Sequence, residues 1–184
     1  MDVLTAIKER RSCRQYKPDP INEEDLTTLL EAARWAPSWA NTQCCRLVVV
    51  RNEETRLQLA GCLAPNNPAT AAMSEAPVLI VACAERQKAG YKRGEAVTDK
   101  GDYWYMYDTG LAMQNLTLAA WSLGLGTVHI GLFDAAKAAA VLGLPPAMVC
   151  VAMTPVGYPD GEFRNPGRRE LGEIVFHEKY GQGA

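Results

Sequence analysis

The sequence predicts a layered fold, a sheet covered by helices on both faces. Three observations lead there. Helical and strand patterns are intermixed along the chain. The two most apolar runs, LVVV and PVLIVACA, are short and unbroken, as strands are, and PVLIVACA reads as a buried one. A length of 184 residues with 48% hydrophobic and 22% charged side chains is enough for a sizeable core.

The elements follow in order. Residues 2 to 10 read as a short helix with Asp2 as its cap and Leu4 and Ile7 on one face, so that Arg10 and Arg11 fall at its end. Asn22 caps a stronger helix in which Leu26, Leu29, Leu30 and Ala33 recur at helical spacing until Pro37 stops it. RLVVVR is a strand, residues 53 to 63 a helix, the run through Pro65 and Pro68 a loop, and PVLIVACAE a second buried strand. From Arg86 to Asp102 the chain is polar with no clear period and reads as a mobile connection. The longest helix spans 104 to 123 and ends at Gly124 and Gly126. It is apolar nearly all round, which places it centrally or under a second subunit. FDAAKAAAVLGL is a further helix, broken at Pro145-Pro146, and MVCVAMTPVGYP is the last strand.

With 19 basic and 21 acidic residues the chain has no field suited to nucleic acid or an anionic membrane as its main partner. The N-terminus carries charges where a signal peptide needs an apolar run, and no stretch is long enough to span a bilayer, so the expectation is a soluble cytoplasmic protein. Six cysteines form neither a C-x-x-C pair nor a Cys/His array, and no histidine pair has helical metal spacing; no metal site is expected. Reduced thiols are the default, a strained vicinal disulfide at Cys44-Cys45 the alternative.

RRSCR, residues 10 to 14, places three guanidinium groups and a hydroxyl within five positions. Arginine forks match phosphate geometry and stay charged, so the cluster suits a phosphomonoester; as a bare helix end it would instead be a solvated cationic terminus. The pair Arg168-Arg169 poses the same choice. No familiar phosphate loop is present, and the glycines of GLGTVHIG, residues 124 to 131, follow a helix; they read as backbone that lets a flat ligand approach. His129 reads either as a site residue or as a buried imidazole bonded to a backbone carbonyl. With only two histidines and no nucleophile elbow, the chain lacks hydrolytic machinery and points to a cofactor that carries the chemistry.

RRSCR after a short helix, APSWANTQ at 36 to 43, MQNLTLAAWSLGLGTVHIGLF at 113 to 133 and the late Arg168-Arg169 together resemble the FMN-dependent nitroreductase family, in order and spacing over almost the whole chain. The resemblance implies one FMN-binding domain over 1–184, an α+β three-layer sandwich around a mixed, mainly antiparallel sheet, and a homodimer that exchanges its C-terminal segment. It implies that Arg10, Arg11, Ser12, Arg168 and Arg169 grip the FMN phosphate and that Arg14 approaches the N1/O2 edge of the ring, an electrostatic role. Pro37, Ser38, Trp39 and Asn41 would reach the flavin from the other subunit, and Val128, His129, Ile130 and Gly131 would form the backbone strip near N5 and O4. No side chain is then catalytic in its own right. NADH or NADPH reduces the flavin, which reduces a small conjugated acceptor such as a nitroaromatic, quinone or enone in a two-stage cycle. The alternatives are a flavin carrier or sensor, or a relative that consumes flavin, dehalogenates or desaturates. The family's glutamine is commonly followed by Pro-Trp, where this chain has Cys44-Cys45. Tyr103, Trp104, Tyr105 and Tyr107 either line the substrate opening or pack.

Overall fold

The computed structural model describes residues 1 to 182. Its elements are α1 (Val3–Glu9), α2 (Glu23–Arg34), β1 (Cys45–Val50), α3 (Glu53–Ala60), α4 (Thr70–Glu75), β2 (Val78–Glu85), β3 (Tyr91–Lys92), β4 (Glu95–Ala96), α5 (Tyr103–Ser122), β5 (Gly126–Thr127), α6 (Ala135–Val141) and β6 (Met148–Gly157). Four strands form one antiparallel sheet in the order β1-β2-β6-β5.

Strand β2 organises the molecule. Val78, Ile80 and Ala82 face a core shared with Leu26 and Leu29 of α2 and Ala112, Met113, Leu116 and Ala120 of α5. Leu79, Val81 and Cys83 face the opposite core, with Leu59 of α3, Met73 of α4 and Ala138 of α6. Alternate residues of one unbroken apolar run thus serve two helical layers, which is why the run shows no polar alternation. Six of the β2 residues, Leu79 through Ala84, are fully buried.

Local chemistry accounts for the helix starts. The Asp2 carboxylate accepts from the Leu4 and Thr5 amides, Asn22 from Asp25, Asn52 from Thr55 and Asp134 from Lys137. The left-handed backbone at Gly124 ends the longest helix as expected.

Three local expectations need correction. The run after Pro68 contains α4, whose Ala72 and Met73 are buried although the segment is too short to show a period. The polar stretch 86–102 is built rather than a bare connection: Arg93 and Gly94, both left-handed, turn the β3–β4 hairpin, and the Trp104 indole donates to Thr98 Oγ1 at 2.9 Å. Gly126 lies in a strand, and a Cβ there would stand 2.6 Å from the Cys13 Cβ. Its smallness admits another segment of the same chain, not a ligand.

Candidate active site

The arginine cluster is fixed by the segment that follows it. Ser12 pairs with Thr127 in a parallel bridge, the Cys13 amide donates to the Thr127 carbonyl at 2.9 Å, and the buried Tyr16 hydroxyl donates to the Cys13 carbonyl at 2.8 Å. The Lys17 amide then donates to the Tyr158 carbonyl. Residues 12 to 17 are in effect a further sheet edge laid beside β5 and the end of β6, and this anchoring holds 10–14 next to the strip 126–131.

Arg168 reaches the charge field of the adjacent Arg10 and Arg11 from far along the chain. Burial pulls the Arg10 guanidinium below its ordinary value, and the positive charges of Arg168 and Arg11 lower it further. Like charges gathered in this way, among the described residues without an ion-paired carboxylate, favour an anion. Arg11 donates to the Lys8 and Arg10 carbonyls and Arg168 to the Pro166 and Gly167 carbonyls. Arg169 is exposed. Arg14 is also exposed and, with Ser12, Gln15, Asp160, Glu162 and Arg164, lines a hollow of about 140 Å³.

In the strip itself Val128 and Ile130 are buried, whereas His129 and Gly131 are exposed. The Ile130 amide donates to the Met153 carbonyl at 2.9 Å, so it is already engaged within the sheet. His129 bonds no backbone carbonyl. Its Nε2 lies 3.0 Å from Thr117 Oγ1 on α5 and its Nδ1 2.9 Å from Thr154 Oγ1 on β6, both threonines being buried. Burial, then the Arg10 charge, push the imidazole below its ordinary value.

The 37–43 loop stands elsewhere. The Trp39 amide donates to both carboxylate oxygens of Asp108, at 3.1 and 3.0 Å, and the Gln43 amide donates to Ser38 Oγ at 2.9 Å. Ala40, Asn41 and Gln43 adopt left-handed backbone, a strained conformation that these anchors maintain. Cys44 is fully buried, and its thiol, 3.6 Å from Asp108, is pushed up to about 12 by burial and by that carboxylate. All six cysteines are free, so no vicinal disulfide forms.

Asp108 and Thr117 are nine residues apart on α5, about 13.5 Å along its axis. One chain therefore carries two groups of candidate site residues at different levels of one helix. Bridge and hydrogen-bond contacts tie 12–13 to Thr127, and the Arg10 charge is felt with that of Arg168, whereas Trp39 is tied to Asp108, nine residues earlier on α5 than Thr117.

Asp108, Thr117 and Thr154 escaped the sequence reading. A lone acid within the apolar run YWYMYDTGLAMQN was the available signal for the first; nothing marked the threonines. Of the aromatic cluster, Tyr103 is 79% and Tyr107 61% exposed, and both line an open apolar hollow with Trp104 and Lys100. Packing within one chain does not account for Tyr103 and Tyr107. Among the described residues no group of side chains is placed to hold a metal, and no helix is long and apolar enough to cross a membrane.

The sequence model of the nitroreductase family matches residues 7–158. The chain belongs to that family. Among this nitroreductase's relatives, a Methanothermobacter thermautotrophicus protein named NADH dehydrogenase/NAD(P)H nitroreductase is 32% identical over 175 residues, 93% of this chain and 83% of its own. The NADPH-flavin oxidoreductase of Vibrio harveyi is 30% identical, over 96% of this chain and 73% of its own. A Desulfovibrio desulfuricans nitroreductase solved in complex with FMN superposes with a TM-score of 0.80 at 30% identity, covering 98% of each chain. The three-layer α+β architecture expected from the resemblance is the one observed.

Proposed function

We propose that this nitroreductase is an FMN-dependent NAD(P)H oxidoreductase, one domain over 1–184, acting as a homodimer in the reducing environment of the cytoplasm. The observation that carries the reading is the gathering of Arg10, Arg11 and Arg168 charge in a segment whose Ser12 is bridged to Thr127 of the strip 126–131. The residues present fit FMN. An uncompensated guanidinium cluster suits its phosphate, and a Cβ at Gly131 would meet nothing within 4 Å, so the backbone there is open to a flat ring.

Arg10, Arg11, Ser12, Arg168 and Arg169 would hold the phosphate. Arg14 would set a positive potential at the pyrimidine edge, where charge builds up on reduction. The redox chemistry, uptake of a hydride equivalent from NAD(P)H and its delivery to a small conjugated acceptor, belongs to FMN when it is bound. The protein positions and polarises.

Two features support the dimer. The loop at 37–41 would complete the site from another copy, and exposed apolar side chains offer a surface for that copy: Val3, Leu4 and Ile7 on α1, and Met106 and Tyr107 on α5. β1 has a free edge, and the mainly exposed tail from 161 to 182, with Leu171 and Ile174 outward, is long enough to add to a partner's sheet. Free cysteines suit a reducing compartment.

The test is the visible absorption spectrum of purified protein, followed by heat release and chromatography of any yellow cofactor. Released FMN that supports steady NAD(P)H oxidation with an added quinone supports the reading. A protein that stays colourless after incubation with FMN overturns it, and bound flavin without turnover would indicate a carrier.

A further inference from the structure

His129 has an unusual combination of properties. Both ring nitrogens lie within hydrogen-bond distance of buried threonine hydroxyls, yet the residue as a whole is exposed. The nitrogen-bearing edge of the ring is therefore engaged inside the protein, and what the residue leaves open is what remains beyond that edge. A hydroxyl can donate or accept, so Thr117 and Thr154 satisfy either neutral tautomer without moving. They also pin the ring plane from two different elements, α5 and β6, which prevents it from turning a nitrogen outward.

We infer that His129 contacts the bound flavin through its π-face, as the stacking platform of the site, and that it takes no part in proton transfer. This rests on the FMN reading above and deepens it. A side chain whose nitrogens are both engaged internally offers a ligand only its face, and the complement of a flat aromatic face is another flat ring. Neighbouring elements agree. The adjacent Val128 and Ile130 are turned into the core, so His129 is the large side chain that this strip presents outward. Of the charged groups around the ring, only Arg10 acts on it, and that cation favours a neutral imidazole. A neutral ring stacks without the desolvation cost of a buried imidazolium.

The experiment follows release of FMN from the holoprotein on dilution, by the rise in free-flavin fluorescence, with thermal melting and sedimentation as controls. His129→Ala removes the platform and should weaken FMN binding about tenfold or more, in line with measured ring-on-aromatic stacking. His129→Phe alone would leave two buried hydroxyls without partners, so it is combined with Thr117→Val and Thr154→Val. That triple variant keeps a face and loses every nitrogen and hydroxyl of the clasp. It should hold FMN within about threefold of wild type.

Two results would overturn the inference: an alanine variant that binds FMN as tightly as wild type, or a triple variant as weak as the alanine one. An alanine variant that changes only the sedimenting mass would overturn it too, by showing that the face meets a second copy. Failure of the underlying reading looks different, because the wild-type protein itself would then hold no flavin.

Discussion

Replacing Asp108 tests whether the 37–43 loop is held from α5. One buried carboxylate accepts the Trp39 amide with both oxygens, and the Cys44 thiol points toward the same group. A hydrogen bond to a charged acceptor contributes about 1.5 to 3 kcal/mol, and deleting the acceptor strands the donor. Against this, Asp108 is 3% exposed and faces no cation at contact distance, so its removal also relieves the desolvation of a charge. The net loss expected for Asp108→Ala is about 2 to 3 kcal/mol, or a fall in melting temperature of roughly 4 to 12 °C for a chain of this size. Asp108→Asn keeps one acceptor for the Trp39 amide and should fall between alanine and wild type. Thermal melting followed by circular dichroism reads the difference. An alanine variant melting within about 1 °C of wild type, or an asparagine variant as damaged as the alanine one, would refute the anchor.

Arg11→Ala or Ser12→Ala should each lower FMN affinity about tenfold or more, read by flavin release on dilution, through loss of a charge-assisted contact to the phosphate. Leu79→Ala, in the centre of the sheet, should cost about 2 to 5 kcal/mol in denaturant unfolding with little change in flavin affinity per folded molecule. Because the folded state raises the Cys44 thiol to about 12, it keeps that proton when the unfolded chain has lost its own. Stability should therefore fall as pH rises from about 9 toward 12, and less steeply in Cys44→Ala. The folded state depresses His129, so its contribution is present above the ordinary histidine value of about 6.5 and is lost as pH falls below it; the triple variant at 117, 129 and 154 should lack that loss.

Much of the fold was legible because its signals are local. Asn22, Asp2 and the leucines of α2 declare a helix within a few residues, and the β2 run declares a strand with two covered faces. Short pieces were lost for the same reason: α4 has six residues, fewer than two helical turns, and β5 has two, a single strand period, so neither pattern repeats. The arginine cluster was visible as a cluster, but its purpose required Arg168 to arrive from more than 150 positions away. The role of Gly126 was misread, since only the fold reveals Cys13 against it. Thr117 and Thr154 were invisible because a hydroxyl in an apolar run says nothing until the imidazole between them is placed.

Strand β2 has a neighbour on each side and a helical layer on each face, so its amides cannot meet solvent without dismantling the sheet. The residues proposed to meet the ligand are drawn from elsewhere: the turn after α1, the anchored loop at 37–43, the strip at 128–131 and the exposed tail. Substitutions at that rim can retune which acceptor the cleft admits while the most protected strand stays untouched. Inheritance of the scaffold and divergence of its chemistry are thus physically separable in this chain.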